Sequence, residues 1–137
     1  KTFHCSIVTP TAAAFDGDVS YATFPSWDGQ YGMLPGMAPL LTKLAAGSLR
    51  LDDEDGGRRW FLIEGGFAHV EDGGLSLVTE GARRGEDIDL AEAQAALAEA
   101  DARVADDGTE RSTIEHDRQV ARAAVAVARS AAGQGTS

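Results

Sequence analysis

Three histidines, one cysteine, a run of four acids and two glycine pairs are the residues here whose types and spacing could do chemistry. His4, His69 and His116 lie far apart in sequence, with no two on one helical turn. That excludes a local motif such as HExxH and leaves only a metal site assembled by folding. His69 reads as a strand-face residue. Asp52-Asp53-Glu54-Asp55 lacks the spaced ligands and closing Glu of a calcium loop and reads as a solvated hairpin tip. Gly65-Gly66 and Gly73-Gly74 are followed by neither Lys nor Thr, so they are tight turns and not the phosphate cradle of a P-loop. Cys5, alone, forms no internal disulfide and reads as a small buried residue on an edge strand. Serine and cysteine nucleophile elbows are absent. These residues predict no catalytic site, no metal and no cofactor; the chain reads as no enzyme.

Charge says more. The net charge of −10 argues against nucleic acid as a partner, since phosphate binding needs a basic face. Residues 1–84 carry a net −4, residues 86–117 a net −9, and residues 118–137 a net +3 from Arg118, Arg122 and Arg129. Those arginines stand at i, i+4 and i+11, on one side of a helix with Val125 between them. From the residues alone this reads as a solvated face that complements a helix C-terminal dipole, though a basic end after an acidic stretch raises a functional question. No run approaches the ~18 apolar residues of a membrane span, and no charged-then-apolar leader opens the chain. The chain is expected not to insert into a membrane.

The elements that must position these groups fall into two halves. As far as Glu80 the pattern is short and β-like. Strands are predicted at His4–Val8, Val19–Thr23, Ser48–Leu51, Trp60–Ile63, Phe67–Glu71 and Leu75–Thr79, while Ala12–Phe15 lead into a turn. Turns are predicted at Asp16-Gly17, Asp28-Gly29, Asp52–Arg59, Gly65-Gly66 and Asp72–Gly74. Turn signals about every ten residues describe an all-β sandwich or barrel. At 81–85 the composition changes. Leu90, Ala93, Leu97, Ala100 and Val104 form one helical seam, and Asp106-Asp107-Gly108 breaks it. Thr109 is a plausible N-cap for a second helix to about Ala132, whose seam is Ile114, Ala121, Val125, Ala128 and Ala132. Gly133–Ser137 reads as a frayed tail. Two helices on so short a break form an antiparallel hairpin. Its alanine seams bury little, so it must lean on the β half or move.

Within the β half lies an irregular stretch, Asp28-Gly29-Gln30-Tyr31-Gly32-Met33-Leu34-Pro35-Gly36-Met37-Ala38-Pro39-Leu40-Leu41. Its glycines and prolines mark a shaped loop, neither helix nor regular strand. Tyr31, Met33, Leu34, Met37 and Leu40 make it apolar, which reads as a docking surface.

This stretch, Gly65-Gly66-Phe67-Ala68-His69-Val70 and Ile88-Asp89 resemble, in order and spacing, three motifs of the epsilon subunit of the F-type ATP synthase, bacterial type. The resemblance spans about Phe3 to Ala100. It implies an N-terminal antiparallel β-sandwich, residues 1–84, that docks on gamma and the c-ring. A C-terminal antiparallel α-helical hairpin, residues 85–137, is implied as a regulatory part. The implied function is that of a central-stalk rotor subunit coupling ring rotation through gamma to ATP synthesis, on the cytoplasmic face of the bacterial membrane. The family's contacts fall on residues Asp28 to Leu40. Gln30 stands where the family has Glu, which leaves a hydrogen bond in place of a charge. Met37 stands where it has His and offers an adaptable apolar contact. Some members bind ATP at I/L-D-x-x-R-A. Here Ile88 and Asp89 match but Glu92 replaces the arginine, so attraction for phosphate becomes repulsion and binding is expected weak or lost. The family also implies that Arg118, Arg122 and Arg129 meet acidic segments of the catalytic alpha and beta subunits when the hairpin extends, restraining hydrolysis. The competing reading is a free-standing β-sandwich module that binds a peptide or ligand.

Overall fold

Phe3, Cys5 and Ile7 are buried while His4 and Val8 face out, so β1 (Phe3–Val8) turns every second residue inward. In the computed structural model, residues 1–103 and 108–136 are described, and side-chain surroundings for 1–103 and 111–133. The strands that follow are β2 (Ala13–Val19), β3 (Tyr21–Ser26), β4 (Gly29–Met33), β5 (Leu40–Asp52), β6 (Arg58–Glu71), β7 (Gly74–Thr79) and β8 (Ala82–Arg84). A 3₁₀ turn at Gly85–Asp87 leads to α1 (Leu90–Ala102) and α2 (Gly108–Thr136). The β-sandwich and the helical hairpin are those the sequence implied.

The strand order is β2-β1-β7-β6-β5-β3-β4, with β8 on the free side of β6. Every ladder is antiparallel except β1 with β7. β5 and β6, 13 and 14 residues long, serve both layers. The first half of β6 pairs with β8 and the second half with β7. Phe15 of β2 meets Phe61 of β6 edge-on, centroids 6.1 Å apart, which closes one layer on the other.

Gly65-Gly66, expected to turn the chain back, lie inside β6. They kink it without reversing it. Before them Phe61 and Ile63 point into the sandwich; after them Ala68 and Val70 do. Both glycines hold positive φ, +113° and +122°, a region L side chains rarely enter. Asp16-Gly17, also expected as a turn, lie in β2, paired with Ser6 and Cys5. β3 continues through Pro25 to Ser26, and the Asp28-Gly29 hairpin forms where its signal placed it.

Trp60–Ile63 reads as an unbroken apolar run because both faces are covered. Phe61 and Ile63 fill the sandwich, while Leu62 is buried on the other face beneath α2. There Ala124, Val125, Val127 and Ala128 close over Leu62, Ile88 and Ala93, so the hairpin leans on the sandwich. The approach is close at Gly85, where an added methyl would come 3.0 Å from Ala131 Cβ and from Val127 Cγ1. α2 runs through Gly133 to Thr136, where a frayed tail was expected, and Thr109 lies inside it. Val104, Asp106 and Asp107 fall outside the described residues. Asp89 caps α1, its carboxylate accepting from the Glu92 N–H at 3.0 Å.

Cys5 is wholly buried but not at an edge, since β1 lies between β2 and β7. Desolvation, with the Asp16 charge second, pushes its thiol up from 9.0 to about 12. The fold therefore favours the neutral thiol. That stability is fully present below the unfolded value of 9.0 and is lost as pH rises toward about 12. A thiol reagent at pH 8 should leave the native chain unlabelled and label it once denatured; labelling of the native chain at the denatured rate would overturn this.

Candidate docking site

The loop expected to dock is for the most part knitted to the core. Gly29 to Met33 form β4, and Leu40 and Leu41 open β5, so only Asp28, in the β3–β4 turn, and 34–39 lie outside strands. Met33 is fully buried, and Tyr31 stacks on Phe24 at 5.7 Å. Met37 and Leu40 pack against the same core, and Met37 Sδ accepts from the Leu34 N–H at 3.4 Å. These residues hold the loop's shape instead of lining its surface, because a two-layer core takes apolar side chains from its rim as well as its strands. Leu34 alone among the five stays open. Gln30 also folds back, its Nε2 donating to Ser48 O at 2.8 Å.

The apolar surface that remains was not legible in the loop motif. Across the outer face, Lys43 pairs with Phe67, Phe67 with Val78, and Val78 with Val8. Partners across a ladder point the same way, so Phe67, Val78 and Val8 form one row about 10 Å long. Phe67 is 54% and Val78 60% exposed. In the next row stand Leu41, 68% exposed, and His69. Trp27, at the β3–β4 turn, is 69% exposed. The signal that could have found this row is the apolar residue at both parities of Phe67–Val70 and Leu75–Val78.

Ile88, Asp89 and Glu92 do come together, lining a cavity of about 400 Å³ between hairpin and sandwich. Glu64, Glu99 and Asp117 add carboxylates; Arg83, Arg103 and His116 are the bases. Five carboxylates against two arginines make the field unfavourable to phosphate. Mg-ATP titrated into the isolated chain should bind more weakly than about 1 mM; micromolar affinity would show that other residues make the pocket.

Arg118, Arg122 and Arg129 do not act as one face. Arg122 and Arg129 are exposed, with no ion pair among the described residues, whereas Val125 between them is buried. Arg118 is turned toward α1 and is 28% exposed. The histidines stay apart, His4 at 3.1 Å from Asp16 and His69 at 3.7 Å from Glu71. Among the described residues no three His, Cys, Asp or Glu are placed to hold a metal. No described helix is long and apolar enough to cross a membrane.

A kinked two-layer sandwich with an exposed apolar row and a helical hairpin packed on its back defines a docking subunit. Residues 2–85 match the family described as the beta-sandwich domain of the ATP synthase delta/epsilon chain. The chain belongs to that family. The ATP synthase epsilon chain of Pelotomaculum thermopropionicum is 39% identical over 105 residues, 77% of this chain and 78% of that one. That of an Exiguobacterium species is 37% identical over 118 residues, 86% and 85% of the two chains. A chain of the Euglena gracilis mitochondrial ATP synthase, solved with OSCP, F1 and c-ring, superposes with TM-score 0.79 at 27% identity, covering 88% of this chain and 78% of that one. A chain of the Tetrahymena thermophila central stalk and c-ring, at 16% identity and TM-score 0.66, shares the fold; it covers 93% and 97%.

Proposed function

We propose that the chain is the central-stalk rotor subunit of an F-type ATP synthase, clamping gamma to the c-ring so that ring rotation reaches the catalytic head. The observation that carries this is the in-register row of Val8, Phe67 and Val78, with Leu41 in the next row, on a sandwich whose core is otherwise filled. Exposed apolar area of this kind is the mark of an interface. The row and the exposed Leu34 of the loop offer two surfaces, as a subunit bridging two rotor partners needs. Residues 1–84 are the docking part and 85–137 the regulatory part. The chain is not catalytic, and it works at the cytoplasmic face of the cell membrane without inserting. Its hairpin, when extended, presents Arg122 and Arg129 to acidic segments of the alpha and beta subunits and restrains hydrolysis. A free-standing module is disfavoured, because the matches to epsilon chains continue into the helices.

Tagged full-length chain, recovered from its own solubilised membranes, should bring gamma and c subunits with it. Recovery of the chain alone would sink the rotor reading and favour the module. Replacing Gly36, whose φ is +86°, with Val should weaken that recovery while the sandwich still folds; undiminished recovery would take the loop out of the interface.

A further inference from the structure

We propose that Arg118 is the latch of the hairpin, a cap supplied by one helix to the open end of the other, and that it works against Arg122 and Arg129. The last four carbonyls of a helix have no partner within it. Many helices close that end with a left-handed glycine; α1 does not. Its C-cap residue, Arg103, is extended at φ −70° and ψ 144° and returns one N–H to Ala100 O. Among the described residues, further donors come from Arg118 on α2. Its Nε donates to Ala100 O at 3.0 Å, and its Nη2 donates to Arg103 O at 2.7 Å and Asp101 O at 3.4 Å. A guanidinium fork suits this, with donors in one plane and a cation at the negative end of the helix dipole. A second clasp runs the other way, Arg103 Nη1 donating to Asp117 at 2.7 Å.

Packing holds α1 only in part. It is 13 residues long, Ala93 and Ala100 are its fully buried residues, and Leu90 and Leu97 are half-buried against the cluster beneath α2. Helices of that length are marginal alone, and a seam of two alanines and two half-buried leucines is a modest one. Order in α1 therefore depends on polar clasps from α2 as well as on packing. A state in which the helices separate must first break the Arg118 cap. Arg122 and Arg129 take no part in it and stay available to a partner in either state. The three arginines are thus two devices. Arg118 favours the folded-down hairpin, and the other two favour whatever acidic surface meets the extended one. The effect on hydrolysis rests on the restraint proposed above; the latch itself does not.

Amide hydrogen exchange of the full-length chain tests the latch directly. In R118A, amides of 96–102 should exchange about tenfold faster than in the wild type, since a charged cap of several bonds is lost. Amides of β6 and β7 should be unchanged, and R122A should match the wild type throughout. R118K, which keeps the charge but not the fork, should fall between and supplies the readout if R118A does not fold. Exchange in R118A within about twofold of wild type, or equal loosening in R122A, would overturn the latch. In the assembled complex, R118A should lower ATP hydrolysis and the R122A/R129A double variant should raise it. If α1 loosens and neither variant changes hydrolysis, the latch stands and the restraint falls; if α1 does not loosen, the latch falls whatever hydrolysis does.

Discussion

Replacing Phe67 with Glu is expected to abolish recovery of gamma and the ring with the chain while leaving the sandwich folded. Phe67 points outward, with Lys43 and Val78 beside it and Val8 one strand further on. An exposed aromatic in an apolar row is where interfaces concentrate their energy, at about 2 kcal/mol or more per such residue. A carboxylate there forfeits that contact and must also be desolvated by the partner, which adds several kcal/mol if it stays charged. Together these are worth a loss of at least about a hundredfold in affinity. The free chain should not suffer, since a half-exposed strand residue tolerates a polar substitution within about 0.5 kcal/mol. The measurements are copurification from membranes and the thermal midpoint of the isolated variant. Full recovery of gamma and ring with Phe67→Glu and Val78→Glu combined would remove this face from the interface.

Gly66→Ala should do the reverse and destroy the fold. A methyl at Gly66 would overlap the carbonyl oxygen of Val78 and stand 2.7 Å from Thr79 Cα, both backbone atoms of the neighbouring strand. Neither can move without breaking the β6–β7 ladder that carries residues 66–71. The left-handed φ of +122° adds strain of its own. Large effects of this kind exceed about 4 kcal/mol, most of a small domain's stability. Gly73→Ala is the control: its φ is also positive, +76°, but nothing lies within 4 Å, so only about 1 kcal/mol is expected. A soluble Gly66→Ala chain melting within a few degrees of the Gly73→Ala chain would show that the kink is not held by this contact.

These two sites also mark how far sequence could be read. The Asp28-Gly29 turn and the alternation of Leu75, Leu77 and Thr79 are local features, and local chemistry places them. The glycine pair at 65–66 is equally local, but a kink and a reversal call for the same backbone freedom. Only the long pairing of β5 with β6 tells them apart. Gly17 became strand because β1 lies opposite it, a constraint from twelve residues away. The docking row was hidden for a stronger reason: its residues 8, 67 and 78 are neighbours only through two ladders, one of them parallel. The apolar loop misled in the opposite sense, since Met33 and Tyr31 look exposed among glycines and serve the core. Arg118 shared its helical side with Arg122, yet its position opposite the end of α1 decided its partners.

The parallel pairing of β1 with β7 sets the order in which the chain must fold. Cys5 to Val8 take their partners from Leu75 to Val78, so the first strand leaves the ribosome long before its neighbour exists. Until then the inward side chains of Phe3, Cys5 and Ile7 have only β2 to cover them. The central β5–β6 ribbon, which is local, can form while β1 waits. Long-range closure of this kind slows folding and exposes strand edges meanwhile. Truncation before Leu75 should therefore yield an aggregating chain.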